Sequence, residues 1–320
     1  MWNRARQLER NGILGLNERN CEYIMRYNPR RLYPLVDDKL ATKRLAVPAG
    51  LPVPELYGVI RSHHEVRDLP KLLANRRDFV VKPAHGSGGD GILVISARVK
   101  DKNVYRLVDG TLMGEEDIEH HLSNILSGQY SLGGNRDVAL IEYCVKFDTT
   151  FAEHAFRGVP DIRVIVFRGY PVMGMVRLPT RRSQGKANLH QGAVGAGIDL
   201  ATGRTTHGVE GNSAITEHPD TGAIIAGLQI PQWHYLLEFA ARCYELTGLG
   251  YIGVDIVLDR DKGPMLLELN ARPGLNIQIA NRCGLRSRLR LVETREAGKP
   301  VDERVAYAID VLATAAPALD

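Results

Sequence analysis

Residues 251–275 read YIGVDIVLDRDKGPMLLELNARPGL, and this stretch decides the fold of the chain. Two apolar runs flank a turn-forming cluster at residues 260–263, a pattern typical of a β-hairpin. We assume that Leu258 pairs with Met265. Because side chains alternate between the two faces of a strand, one face of the hairpin is then uniformly apolar and belongs in a core. Its members are Val254, Ile256, Leu258, Met265, Leu267 and Leu269.

The opposite face of this hairpin carries acidic and amide side chains. The same pairing puts Asp255 opposite Glu268, with Asn270 two residues further along. Two buried carboxylates repel each other and lose their hydration unless a cation compensates them. Mg²⁺ takes oxygen ligands and usually shares them with phosphate, so the pattern favours a magnesium site. The alternative is a merely solvated face, which Val257 and Leu266 argue against because they make that face partly apolar.

The motif D-I-V-L followed by L-L-E-L-N-A-R-P-G-L resembles the metal-binding end of the ATP-grasp ligases. The resemblance implies that Asp255, Glu268 and Asn270 hold two Mg²⁺ ions on the phosphates of ATP, with Mn²⁺ as a possible substitute. It also implies that Arg272 lies within reach of phosphate.

Composition points to an ordinary globular protein. The chain has 320 residues, enough for one large or two modest domains, with 44% hydrophobic and 24% charged residues. A net charge of +4 does not imply nucleic-acid binding. No signal peptide and no apolar run of about 20 residues is evident, so we expect no membrane span. Four dispersed cysteines favour a reducing compartment, and we predict a cytoplasmic protein.

The resemblance predicts an α+β fold, in which two α/β subdomains with antiparallel sheets clamp ATP. We expect residues 1–36 to form an arginine-rich N-terminal extension and residues 37–320 the ATP-grasp domain, with a lid at about 78–145 and a base at about 146–320. Only about 38 residues precede the nucleotide-binding part, so the N-terminal domain is expected to be reduced. The motif GILGLNERN at residues 12–20 has no evident mechanism.

Residues 37–43, DDKLATK, are predicted to begin a helix with Asp37 as its N-cap. This start resembles the D-K-x-x-x-K of ATP-grasp ligases, which implies that Lys39 reaches the phosphates. Charged helix starts are common, so the motif by itself is also compatible with a purely structural helix.

A glycine-rich loop, residues 84–91, joins two predicted strands at residues 78–83 and 92–95. Glycines let backbone N–H groups approach phosphate oxygens and let a loop close as a lid. The loop lacks G-K-[ST], so it is not a Walker A motif. Its resemblance to ATP-grasp proteins implies a contact between Lys82 and the α-phosphate side of ATP. The loop residues expected around the phosphates are Gly86, Ser87, Gly88 and Gly89. The alternative is a flexible hairpin turn.

Residues 138–145, VALIEYCV, are predicted to form a buried strand. In ATP-grasp proteins the similar strand leads into the hinge between lid and base. The resemblance implies that the adenine edge is read by Glu142, Tyr143, Cys144 and Val145.

Arg163 and Arg177 lie within apolar strands of a second predicted hairpin. An unpaired charge there is unfavourable, so both are candidates for gripping a carboxylate or phosphate. The alternative is an internal ion pair with Asp161 or Glu142.

The polar block at residues 183–193, SQGKANLHQGA, follows a strand and is predicted to be an ordered loop over a site. Its N-L-H-x-G pattern resembles one in the glutamate-adding, RimK-like branch of ATP-grasp. The resemblance implies that Asn188 and His190 lie beside the γ-phosphate and the acyl acceptor.

Together these resemblances imply a ligase that joins a carboxylate to an amine through an acyl phosphate, releasing ADP and phosphate. The implied partners are ATP, an amino acid such as glutamate, and a carboxylate-bearing peptide or small molecule; a homo-oligomer is possible. Two alternatives stay open: a kinase on the same scaffold, and a nucleotide-binding regulatory protein without turnover.

Overall fold

Two antiparallel sheets organise the computed structural model, which describes residues 8, 10–86, 88–99, 104–131 and 133–315. The first sheet is formed by strands between residues 56 and 142, and the second by strands between residues 161 and 270. We call the first the lid sheet and the second the base sheet. Helices pack on both, so the predicted α+β architecture with two antiparallel sheets is confirmed.

The lid sheet consists of β1 (Leu56–Ile60), β2 (Phe79–Pro83), β3 (Leu93–Val99), β4 (Val104–Leu107), β5 (Leu112–Gly114) and β6 (Ala139–Glu142). The base sheet consists of β7 (Asp161–Phe167), β8 (Tyr170–Leu178), β9 (Val194–Ile198), β10 (Thr205–Glu210), β11 (Ser213–Ile215), β12 (Tyr251–Asp259) and β13 (Gly263–Asn270). The strand order is β1-β6-β2-β3-β4-β5 in the lid sheet and β11-β10-β9-β8-β7-β12-β13 in the base sheet. Because β1 is part of the lid sheet, that sheet includes chain upstream of the expected boundary at residue 78.

The helices are α1 (residues 16–27, with a π-helical turn at Arg19–Ile24), α2 (Pro34–Asp37), α3 (Lys39–Ala46), α4 (Leu69–Leu72), α5 (Glu115–Leu126), α6 (Trp233–Thr247), α7 (Asn276–Asn281), α8 (Arg286–Glu293) and α9 (Val301–Asp310). Asp38, not the predicted Asp37, caps α3, because its side chain accepts from the N–H groups of Leu40 and Ala41. Among the helices that the structure describes, none is both long and apolar enough to cross a membrane.

The hairpin β12–β13 has the predicted pairing at the site but not beyond it. Asp255 pairs with Glu268, as expected, and the register then shifts so that Leu258 faces Pro264 and not Met265. A β-bulge adds one residue to one strand and reverses the faces after it. Met265 and Leu267 therefore leave the predicted core face and pack with Tyr143 and Val257, while Leu266 joins the base core.

Residues 10–36, the described part of the predicted N-terminal extension, pack on the base. Leu14, Tyr23 and Val36 belong to the base core. The Asn28 side chain donates to the carbonyl of Tyr251 at 2.7 Å and to that of Ala271 at 2.9 Å. It thereby ties together the two ends of the β12–β13 hairpin.

Candidate active site

The three oxygen donors predicted from the hairpin converge at one place on the base sheet. Asp255 on β12 lies directly opposite Glu268 on β13, and only 2% of Asp255 is exposed. The Asn270 side-chain nitrogen lies 3.3 Å from Asp255 Oδ2. Two carboxylates and an amide therefore share one face at the edge of the sheet.

Asp255 is held by two arginines from the neighbouring strands. Arg163 on β7 donates Nε and Nη2 to its two oxygens at 2.7 and 2.5 Å, and Arg177 on β8 donates Nη2 at 2.8 Å. Burial would raise the pKa of Asp255, but these two guanidinium groups outweigh it and hold the pKa below its usual value. The clamp connects the candidate metal ligand rigidly to the sheet.

Arg177 also forms a two-pronged ion pair with Asp161. This is one of the internal ion pairs left open as an alternative, whereas Glu142 pairs with neither arginine. Burial is the main cause that raises the pKa of Asp161 to about 6, with Arg177 opposing it and Asp255 adding to it. Asp161 was not among the candidate site residues, although its position in the D-I-R-V run is visible in the sequence.

Glu268 and Lys39 connect this cluster to the glycine-rich loop. Among the residues described, the Glu268 carboxylate has no hydrogen-bond or ion-pair partner. Lys39 donates Nζ to the carbonyl of Gly86. Burial lowers the pKa of Lys39, and the Glu268 carboxylate is the leading charge that opposes this effect. The acidic hairpin and the glycine-rich loop therefore face each other across Lys39.

The donor chemistry suits a magnesium ion. Glu268 and the Asn270 carbonyl are hard oxygen ligands without a competing cation on them, which is the type that Mg²⁺ prefers. Asp255 would share its carboxylate with Arg163 and Arg177. No cluster of three or more His, Cys, Asp or Glu residues in the described ranges suggests a different metal centre.

Lys82 and Glu142 meet in a buried charge cluster behind the glycine-rich loop. Glu142 binds Lys82 and also Lys43, whose Nζ lies 2.8 Å from its Oε2. Burial would raise the pKa of Glu142, but the two lysines hold it below its usual value. The Glu142 carboxylate is thus occupied by lysines rather than open to a base edge. Lys43, absent from the candidate residues, is the second lysine of the D-K-x-x-x-K start.

The segment that follows β6 has two backbone N–H groups without a partner in the described part of the chain. The Tyr143 N–H donates to the carbonyl of Glu55 at 2.8 Å, whereas the N–H groups of Cys144 and Val145 have no partner among the described residues. Lys262 lies 3.8 Å above the Tyr143 ring. Burial raises the pKa of the Cys144 thiol to about 11. The thiol is therefore protonated at neutral pH, and Cys144 serves as an apolar contact rather than as a nucleophile.

The loop at residues 183–193 closes over the glycine-rich loop from the base. The Asn188 and Gln191 side chains donate to the carbonyl of Gly88 at 3.2 and 3.3 Å. Gly88 and Gly89 have φ values of 66° and 83°, which favour glycine. Ser87 lies outside the described residues. Gln191 was missed by the sequence reasoning, although it stands three residues after Asn188.

Two predicted residues lie at the rim. The His190 ring has no hydrogen-bond partner in the described ranges, and its backbone N–H donates to Asn188 Oδ1 at 3.0 Å. Arg272 is exposed, with its guanidinium 5.4 Å from the centre of the Tyr33 ring. Neither side chain is fixed by the charge cluster around Asp255.

Comparison with known proteins agrees with this geometry. Residues 18–294 match the family model described as "Sugar-transfer associated ATP-grasp". The chain belongs to this ATP-grasp family. A search of curated proteins finds no match. The predicted membership of the ATP-grasp superfamily is confirmed, while the likeness to the glutamate-adding branch stays a prediction.

Solved structures share the ATP-grasp fold at low identity. A pyruvate carboxylase of Rhizobium etli matches with a TM-score of 0.50 and 16% identity over 86% of this chain and 20% of that one. The ATP-grasp ligase PsnB, complexed with a minimal precursor, has a TM-score of 0.44 and 17% identity over 88% of this chain. D-cycloserine synthetase DcsG has a TM-score of 0.47 and 17% identity over 83% of this chain and 73% of that one. The ATP-grasp chain described here spans 62% of the length of PsnB.

Proposed function

We propose that this ATP-grasp protein is an ATP- and Mg²⁺-dependent ligase that joins a carboxylate to an amine. The observation that carries the proposal is the position of Asp255, Glu268 and Asn270 opposite Lys39 and the glycine-rich loop. Oxygen ligands on one side and lysine with backbone groups on the other are what a nucleotide triphosphate with its metal requires.

The nucleotide is expected to lie between the two sheets. The free peptide groups of Cys144 and Val145 would read the adenine edge, and Tyr143 would wall the adenine pocket. Lys82 and Lys39 would contact the phosphates, with Gly86, Ser87, Gly88 and Gly89 closing over them. Glu142 would hold Lys82 in place, since its carboxylate is bound by that lysine.

The site residues have separate proposed roles in metal binding, in orienting the metal ligand and in contacting the substrates. Glu268, Asn270 and Asp255 would hold Mg²⁺; two ions are proposed, and Mn²⁺ is expected to substitute. When bound, the metal neutralises charge on the phosphates. Arg163 and Arg177 orient Asp255, and Arg272, Asn188 and His190 would contact the acid and the γ-phosphate. Closure of the glycine-rich loop excludes water, which protects an acyl phosphate from hydrolysis.

The proposed substrates are a carboxylate-bearing peptide or small acid and an amino acid, with glutamate as the first amine to test. The acid would attack the γ-phosphate of ATP to give an acyl phosphate and ADP. The amine would then displace phosphate to form the amide. We also propose that the protein works in the cytoplasm.

A screen of amino acids and acidic peptides that follows ADP and free phosphate together tests this proposal. Ligation predicts both products, and phosphate only when the amine is present. ADP without phosphate would indicate a kinase, and nucleotide binding without either product would indicate a regulatory protein. Glu268→Gln serves as the negative control in each assay.

A further inference from the structure

A histidine at the root of the glycine-rich loop is held by a buried carboxylate. His85 Nδ1 lies 2.7 Å from Asp137 Oδ1, and the Asp137 side chain has no exposed surface. Asp137 also accepts from the backbone N–H of His85 at 3.0 Å and from that of Val138 at 2.7 Å. The buried Asp137 carboxylate therefore holds the His85 imidazole in one orientation.

The geometry determines which ring nitrogen is open. A carboxylate only accepts hydrogen bonds, so Nδ1 of His85 carries the hydrogen, and Nε2 of the neutral ring is an acceptor. The His85 side chain is 42% exposed, and Nε2 lies 4.0 Å from Oδ2 of Asp38. Asp38 uses Oδ1 to cap α3. Two acceptors, one imidazole nitrogen and one carboxylate oxygen, thus face the same opening.

This pair of acceptors borders the phosphate-binding region. Lys39 follows Asp38, donates its backbone N–H to Ala84 at 3.1 Å and donates its Nζ to Gly86. Asp137 is also among the carboxylates that act on the Lys39 charge. The charged groups facing His85 are accordingly Asp137, Asp38 and Lys39.

We propose that His85 is the base that deprotonates the amine substrate, and this inference rests on the ligase function proposed above. An ammonium group fits between Nε2 of His85 and Oδ2 of Asp38, because it donates to both. One N–H bond breaks and its proton moves to Nε2. The freed lone pair forms the C–N bond at the acyl carbon, the C–O bond to the phosphate breaks, and phosphate leaves. The second N–H proton that the new amide must lose passes to the departing phosphate. The imidazolium then releases its proton to solvent.

The other titratable side chains of the site are less suited to this task. Asp255 and Glu142 are each held between two cations. The His190 ring has no partner in the described part of the chain that would orient it. Among the described histidines of the site, His85 combines an open nitrogen with a buried orienting carboxylate.

Hydroxylamine tests the inference because it is largely unprotonated at neutral pH and attacks acyl phosphates without a base. The substrates of this test are the acid and the primary amine that together yield ADP and phosphate in the screen described under the proposed function. For His85→Gln we expect amide formation to fall about 10²–10⁴-fold. Hydroxamate formation with hydroxylamine in place of the amine should remain at the wild-type rate, which also shows that the variant is folded.

His121→Gln is the matched control, since His121 also contacts the glycine-rich loop, through the carbonyl of Gly91 at 2.8 Å. It should leave the ratio of amide to hydroxamate unchanged. Asp137→Asn should lower that ratio, because an amide can donate to Nδ1 and favour the wrong tautomer. Equal losses of amide and hydroxamate in His85→Gln would overturn the inference. A wild type that forms neither product would overturn the ligase function and the inference together.

Discussion

Arg163 on β7 donates through Nε and Nη2 to both carboxylate oxygens of Asp255, its direct cross-strand partner on β12. Arg177 shares the same carboxylate and also holds Asp161. The proposed metal ligand is thus oriented by three strands of the base sheet. Two acids and two arginines balance each other, so the cluster is buried without net charge.

The two arginines should differ in their effect on stability. Arg177→Leu leaves Asp161 buried without its ion-pair partner, and we expect it to lower the free energy of unfolding by about 3–5 kcal/mol. Arg163→Leu leaves Asp255 paired with Arg177 and should lower it less. Urea denaturation at neutral pH measures both values. Equal losses, or a larger loss for Arg163→Leu, would show that the cluster is not arranged as described.

Glu142→Gln should show a characteristic pH dependence. Two lysines hold the pKa of Glu142 below its usual value of 4.5, so its stabilising contribution is present above that pH and is lost as the pH falls below it. At neutral pH the variant leaves Lys43 and Lys82 buried without a carboxylate, which lowers the free energy of unfolding by about 3–5 kcal/mol.

The difference between wild type and Glu142→Gln should therefore shrink as the pH is lowered through 4.5. Unfolding in urea at pH values on both sides of 4.5 measures it. A difference that stays constant across this range would mean that the folded-state environment does not favour the ionised form of Glu142.

Gln191→Ala should weaken the closed state of the glycine-rich loop. It removes one of two side-chain hydrogen bonds to the Gly88 carbonyl, each worth about 0.5–1.5 kcal/mol. We expect weaker ATP binding by about 2–10-fold and a larger share of phosphate released without amide. Calorimetry and product analysis measure the two effects. Gln229→Ala, on the base away from this loop, is the control; a similar effect there would discount the contact to Gly88.

Much of the fold is readable from short patterns. Val81 and Ile95 are buried in the strands predicted around the glycine-rich loop, and the second predicted hairpin forms as β7–β8 with its turn at Arg168 and Gly169. The pairing of Asp255 with Glu268 also follows from alternation and one turn. These features depend on local sequence, which is why they could be predicted without a structure.

The bulge and the charge partners could not be predicted in the same way. The run Met265–Leu269 contains too few polar residues to show where the face reverses, so a period-two pattern misplaces Met265 and Leu267. The clamp of Arg163 on Asp255 joins residues 92 positions apart. Such contacts depend on which strands become neighbours, and a single sequence does not specify that order.

A pair of glycine variants tests how the loop at residues 183–193 is seated. Gly158 has a φ of 109°, and a Cβ there would lie 2.0 Å from the carbonyl oxygen of Gly185. Gly134 has a φ of 68°, but a Cβ there meets nothing within 4 Å. Both alanine variants carry backbone strain, and Gly158→Ala should lose about 1–3 kcal/mol more because of the clash. Thermal unfolding compares them, and equal losses would contradict this packing.

The measurement that tests the central claim most directly is Mg²⁺-dependent ATP binding by wild type and Glu268→Gln, followed by calorimetry with and without the metal. Glu210→Gln, on the far side of the same sheet, is the control. We predict that Mg²⁺ strengthens ATP binding in wild type and in Glu210→Gln, and that Glu268→Gln folds normally but loses this effect and all Mg²⁺-dependent ADP formation. Wild-type metal dependence and turnover in Glu268→Gln would contradict the assignment of this hairpin as the metal-binding centre.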